Sequence, residues 1–162
     1  QNDVNVFRTE KENKSKLKII KNDINVRRKN NISVRFESLD SISAPYIEYN
    51  YSAKGKTLGL ASERASAIEY SAVQNNELIS FDSHFSLAPN SLERNQKVEA
   101  VVYLPIGTEA YLHNNLRNKV QNLSFKGCDA ELSDRMNYTL WKMTKTGLDC
   151  LSLSDEMDDT EE

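Results

Sequence analysis

The chain predicts a mainly β fold, a single-domain solenoid-like or sandwich-like stack of short strands with one short helix near residues 58–69. Three observations carry this. Apolar residues alternate with polar ones through the first third, turn-forming clusters punctuate the alternation, and one Ala-rich stretch breaks it.

The elements follow in order. Leu17 and Ile19 alternate with lysines, Ile24 and Val26 with Asn25 and Arg27, and Ile32, Val34 and Phe36 with Ser33, Arg35 and Glu37. Each pattern gives a half-buried strand, because successive side chains point to opposite faces. The separators Lys21-Asn22-Asp23 and Lys29-Asn30-Asn31 supply Asn and Asp, which tolerate left-handed backbone and close turns. A further strand carries Ile47, Tyr49 and Tyr51, entered through Pro45 and left through Lys54-Gly55-Lys56.

Thr57 then reads as a helix N-cap, followed by Ala61, Ala65 and Ile68 at i, i+4 and i+7. Gly59 in the first turn opposes this helix by up to about 1 kcal/mol, leaving an Ala-rich loop as the alternative. Strands resume at Ala72-Val73 and, after the turn Gln74-Asn75-Asn76, at Leu78 to Phe81. Ala88 to Gln96 reads as a surface loop.

From Lys97 to Leu104, Val98, Ala100, Val102 and Leu104 share one face while Val101 and Tyr103 lie on the other, which marks a central strand covered on both sides. It ends at the turn Pro105-Ile106-Gly107-Thr108. Short strands are also expected at Glu109 to Leu112, Leu123 to Phe125 and Tyr138 to Met143. Residues 1–13 read as a flexible polar lead-in, 14–153 as one β-rich domain, and 154–162, dominated by acids, as a disordered tail.

Composition narrows the function classes. At 162 residues, 38% hydrophobic and 28% charged, with 5 Gly, 3 Pro and 2 Cys, the chain is neither collagen-like nor a disulfide-dense scaffold. No apolar run is long enough for a membrane helix, and the start Gln1-Asn2-Asp3 does not open a secretory signal, so the chain as given reads as soluble. Its net charge of −3 conceals an asymmetry: residues 1–35 hold ten basic side chains and four acids, a net +6, and the remainder sums to −9. Arg27, Arg28 and Lys29 form a short basic cluster, but a strand would send them to opposite faces, and no stacking platform accompanies them. Nucleic-acid binding is therefore not expected.

Cys128 and Cys150 stand 22 positions apart, without the ligand spacing of a zinc site. Two separate reduced thiols is the favoured reading. The alternative is one disulfide, contributing roughly 3 kcal/mol in an oxidising compartment. His84 and His113 lie in polar contexts and read as surface or turn residues. No G-x-S-x-G elbow marks a nucleophile. Asp129 and Glu131 would share a strand face, as many surface acids do. No catalytic, cofactor-binding or metal-binding residue is assigned, and no cofactor and no enzymatic activity are expected.

Several pieces match a known family in order and spacing. They are Pro45-Tyr46-Ile47-Glu48; Ala53-Lys54-Gly55-Lys56-Thr57 running into the Ala-rich helix and Ile68-Glu69-Tyr70; the strand and turn from Lys97 to Thr108; and Trp141 to Cys150. The sequence resembles, over roughly residues 15 to 151, the C-terminal soluble region of phage-shock protein C (PspC) domain proteins from Bacteroidetes-type bacteria. The resemblance implies a β-helix-like "toast-rack" domain preceded by membrane segments and linked to envelope stress signalling or cell-surface structures. It also implies that the chain is an extramembrane piece of a membrane-anchored protein, extracytoplasmic and periplasmic in placement. Family members often end in Cys-x-x-Cys. Cys150 matches the first position, whereas Leu153 stands at the second, so no redox or metal role carries over.

Under this resemblance the expected function is a non-enzymatic interaction or sensor module in the envelope stress response, working through a protein partner or self-association. The alternative is an adhesin-like or glycan-binding surface domain, whose sugars would stack on exposed aromatics. Tyr46, Tyr103 and Trp141 are the aromatic contact candidates, each equally explained as core or half-buried strand. Lys16, Lys18, Arg27, Arg28 and Lys29 are candidates to face an anionic membrane surface, although solvent faces of alternating strands is the preferred reading.

Overall fold

The computed structural model describes residues 4–13, 18–22, 31–75, 77–89, 91–128 and 137–151. Its strands are β1 (Val4–Asn13), β2 (Lys18–Asn22), β3 (Ile32–Leu39), β4 (Tyr46–Gly55), β5 (Ile68–Glu69), β6 (Ala72–Asn75), β7 (Leu78–Asp82), β8 (Ser86–Leu87), β9 (Lys97–Pro105), β10 (Glu109–His113), β11 (Tyr138–Thr144) and β12 (Gly147–Cys150). The helix α1 spans Leu58–Ser66, and a 3-10 turn spans Asn114–Leu116. No helix among the described residues is long and apolar enough to cross a membrane.

Sheet 1 has the order β1-β4-β9-β3, sheet 2 the order β12-β11-β10-β2-β7-β6, and β5 pairs with β8. Sheet 1 realises the alternation read from the sequence. Ile32, Val34 and Phe36 of β3, Ile47, Tyr49 and Tyr51 of β4, and Val98, Ala100, Val102 and Leu104 of β9 all point into one core. The expected central strand is central: β9 pairs antiparallel with β4 and parallel with β3. Sheet 2 contributes Ile79, Phe81, Ala110, Leu112, Trp141, Met143 and Leu148 to the same core. Its middle is parallel, β10 to β2 and β2 to β7, joining strands far apart in sequence in the solenoid-like manner.

The helix begins where the sequence places it. The Thr57 hydroxyl accepts from the Leu60 amide at 3.2 Å, satisfying one of the otherwise unpaired N–H groups of the first turn. Its buried face is Ala61 and Ala65, two small residues that bring the helix close to β4. At Gly55 that approach leaves no room for a side chain: a Cβ would lie 2.6 Å from the Ala61 nitrogen and 3.0 Å from its Cα. Around Gly59, a Cβ would meet nothing nearer than the Thr57 hydroxyl at 3.9 Å. The two glycines therefore respond oppositely. Gly55→Ala is expected to lower stability by about 1–3 kcal/mol, since backbone must move. Gly59→Ala is expected to raise it by up to about 1 kcal/mol. Urea midpoints of the two variants test this, and equal shifts would refute the close approach.

Four expectations are corrected. Val4–Asn13, expected as a flexible lead-in, forms β1, whose whole length pairs antiparallel with β4 from Val4 opposite Gly55 to Asn13 opposite Tyr46. Backbone pairing needs no apolar run, which is why a polar sequence gave no sign of it. Leu123 to Phe125 is loop, not strand: the Cys128 amide donates to the Phe125 carbonyl at 3.1 Å, and Gly127, at φ +76°, turns the chain back. Gln96, at the end of the expected surface loop, is buried. It accepts from the Arg94 amide at 2.7 Å and donates to the Leu92 carbonyl at 2.8 Å, closing the loop on itself.

The fourth correction concerns the cysteines, favoured as separate thiols. Cys128 and Cys150 are disulfide-bonded, their Cα atoms 6.0 Å apart. The bond staples the loop after the 3-10 turn to β12, a proximity that linear spacing could not show. The expected strand at Ile24 and Val26, together with Lys16, Arg27, Arg28, Lys29, Asp129, Glu131 and the acidic tail, lies outside the described residues.

Candidate interaction face

The outward face of sheet 1 carries the alternate residues of its strands: Ser33, Arg35 and Glu37 on β3, Tyr46, Glu48, Asn50 and Ser52 on β4, and Lys97, Glu99, Val101 and Tyr103 on β9. Tyr46 and Tyr103 stand directly opposite in the ladder, and their rings stack with centroids 4.5 Å apart at 22°. Cross-strand aromatic pairs of this kind hold both rings in one orientation without covering their outer sides. Beside them Val101 is only 1% exposed, an apolar floor on an otherwise polar face.

The polar groups around the tyrosines are paired with one another. Arg35 lies 3.2 Å from Glu37 and 3.9 Å from Glu99, and Asn50 donates to Glu99 at 3.3 Å. Such half-exposed pairs add little stability, but they fix which charges the face presents. Burial pushes the Tyr103 phenol up to about 12, helped by its hydrogen bond to the Glu48 carboxylate and by that negative charge, against the opposing effect of Arg35. Tyr103 thus remains a neutral donor at physiological pH. Asn31, Ser33, Arg35, Asn50, Lys97 and Glu99 surround a shallow polar depression of about 430 Å³ on this face.

The turn between β3 and β4, which leads into Tyr46, carries Ile42, which is 95% exposed. The Ser43 amide donates to the Asp40 carbonyl at 3.0 Å and closes that turn. An apolar side chain held so far into solvent gains nothing from folding. Together, Ile42, Tyr46 and Tyr103 make an amphipathic corner where sheet 1 ends.

The free edge of β3 is closed nearby. The Val34 amide donates to the Lys119 carbonyl at 2.8 Å, and the Gln121 amide donates to the Val34 carbonyl at 3.0 Å. Asn122 then acts as a stand-in strand, its side chain accepting from the Phe36 amide at 3.1 Å and donating to the Phe36 carbonyl at 2.7 Å. Incoming strands are thereby excluded from this stretch of edge.

The structure separates the aromatic candidates. Tyr46 and Tyr103 lie on the outward face, whereas Trp141 is 2% exposed in the core. Lys18 lies on β2, opposite Tyr111 on one side and Leu78 on the other. Ile42 was missed by sequence reasoning, although a lone isoleucine flanked by serines and an aspartate between two strands was its available signal. The Lys119, Gln121 and Asn122 hydrogen bonds that shut the β3 edge had no such signal.

A profile of the toast-rack domain found in some PspC proteins matches residues 9–156. The chain belongs to this family. Among the described residues, this toast-rack domain combines mixed parallel and antiparallel sheets, one α-helix and a closed stretch of β3 edge. Among solved structures, the toast-rack chain is similar to a crystal structure of a candidate adhesin from Parabacteroides merdae, with 13% identity, a TM-score of 0.31, and coverage of 64% of this chain. The chain spans 35% of the length of that structure. A search of curated proteins returns no match.

Proposed function

We propose that this toast-rack domain is a non-enzymatic interaction module, the extramembrane part of a PspC-type membrane protein acting in the bacterial envelope stress response. One observation carries the reading: the stacked Tyr46–Tyr103 pair and the protruding Ile42 present rigid apolar area at one corner of a polar, charge-paired face. Protein interfaces draw their binding energy from such anchors, with polar groups around them setting orientation. The partner is a protein or a second copy of the chain. The Cys128–Cys150 bond supports an extracytoplasmic, oxidising setting, since structural disulfides seldom persist in the cytosol. The burial of Trp141 counts against a sugar-stacking surface, which needs the ring open to solvent.

The test uses the full-length protein in its host. Ile42→Asp combined with Tyr46→Ala should abolish the envelope-stress reporter response at unchanged protein level, with a stability loss of only about 1 kcal/mol from the lost Tyr46–Tyr103 stack. Gly59→Ala, away from the corner, should leave the response intact. An unaltered response in the Ile42/Tyr46 variant would overturn the reading.

A further inference from the structure

At the opposite end of sheet 1, α1 and the segment before β9 form a second surface of different chemistry. Leu58 is 65% exposed at the helix start, and Leu60 and Leu92, 39% and 57% exposed, line one groove of about 280 Å³ together with Arg64 and Pro89. The groove is held in shape by one backbone and one side-chain hydrogen bond: the Lys54 amide donates to the Arg94 carbonyl at 2.9 Å, and the Arg64 guanidinium donates to the Lys54 carbonyl at 2.8 Å. These leucines therefore stay exposed on a fixed frame.

The charges around them are not balanced. Residues 54–64 and 92–97 carry Lys54, Lys56, Arg64, Arg94 and Lys97 against Glu63 and Glu93, a net +3. All other residues of the chain sum to −6. Net cationic segments beside exposed leucines, on a chain whose residues 1–35 sum to +6 and whose residues outside these three stretches sum to −12, are complementary to an anionic bilayer, whose head groups attract the cations while aliphatic side chains enter the acyl boundary. A protein groove would also accept leucines, but would not call for five cations in two segments that the Lys54–Arg94 hydrogen bond joins.

Topology places the start of β1 beside this patch. Val4, the first residue of β1, lies opposite Gly55, three residues before Leu58. The Ile42–Tyr46 corner lies at the other end of β4, whose ten residues span about 30 Å.

We infer that the α1 end of the domain docks on an anionic lipid surface through Leu58, Leu60 and Leu92 with their flanking cations, which turns the Ile42–Tyr46 corner away from the bilayer. This inference rests on the extramembrane reading above. It assigns the lipid contact to α1 rather than to the basic segment containing Arg27, Arg28 and Lys29.

The full 162-residue chain should be co-sedimented with vesicles of phosphatidylcholine alone and of three parts phosphatidylcholine to one part phosphatidylglycerol. Binding is expected to the anionic vesicles only, and to fall as salt rises. Each cation removed should weaken it about fivefold, so Lys56→Gln with Arg94→Gln should lose about 25-fold. Leu58→Ser with Leu92→Ser should retain salt-sensitive association at low ionic strength and lose it at physiological salt. Both double variants alter exposed side chains, and unchanged circular dichroism melts confirm that they fold. Ile42→Asp with Tyr46→Ala should bind vesicles like the parent, so failure of the partner reading and failure of the lipid inference are read separately. Equal binding to both vesicle types would overturn the inference. So would loss of binding in an Arg27→Gln, Arg28→Gln, Lys29→Gln variant while the α1-end variants bind normally.

Discussion

Trp141→Ala is expected to destabilise the domain by about 3–5 kcal/mol, the largest loss of any single truncation proposed for this chain. The indole is 2% exposed on β11, and its ring meets Phe125 edge-on at 5.2 Å and 70°. Phe125 in turn lies under the Arg117 guanidinium, 5.2 Å from the ring centroid. The indole N–H donates to the Thr139 hydroxyl at 2.7 Å, and that hydroxyl donates to the Leu112 carbonyl at 3.3 Å. Truncation removes a large buried ring, opens a cavity, and leaves Phe125 without the surface that holds its loop in place. Trp141→Phe retains an aromatic ring and gives up the N–H donor and part of the ring volume, so a smaller loss of about 1–2 kcal/mol is expected. Because Trp141 is the sole tryptophan, unfolding should be followed by circular dichroism rather than fluorescence. A loss below about 1 kcal/mol for the alanine variant would be incompatible with this packing.

Opening the Cys128–Cys150 bond is expected to cost about 3 kcal/mol, the magnitude associated with a closed loop of this size. The bond joins two segments that already pack on Trp141: the Phe125–Cys128 turn and β12, where Cys150 lies opposite Trp141 in the ladder. Reduction and Cys150→Ser should therefore give similar losses in thermal unfolding. Each combined with Trp141→Ala should be less than additive, since both loosen the same contact. Thiol titration of the unreduced, denatured chain should find no free cysteine. Two free thiols, or a melt unaffected by reductant, would refute the bond.

Much of the β framework was legible because side-chain direction along a strand is a local property. Ile32, Val34 and Phe36, then Ile47, Tyr49 and Tyr51, then Val98 through Leu104 could be assigned to one face each, and those faces are buried. Thr57 announced the helix, and Pro105 to Thr108 announced a turn, closed by the Thr108 amide donating to the Pro105 carbonyl at 3.0 Å with Gly107 at φ +93°. Leu123 and Phe125 show the limit of the same rule. Two apolar residues at strand spacing were satisfied when Phe125 packed on Trp141, with no ladder formed.

The interaction face was only half legible. Tyr46 and Trp141 were equal candidates by sequence, because each sits in an alternating strand with aromatic character. Their fates differ because sheet 1 leaves its outward face uncovered at Tyr46, whereas the inward face of sheet 2 meets the common core at Trp141.

By itself, the sequence determined which segments extend, which side chains share a face, and where the helix starts, since these depend on neighbours a few residues away. Tertiary structure decided the rest: that polar Val4–Asn13 pairs along β4, that β3 lies parallel to β9, that Cys128 meets Cys150, and which aromatic faces water. Those outcomes turn on long-range pairing, where backbone hydrogen bonds are the same for every partner and only the packing of the whole core selects among them.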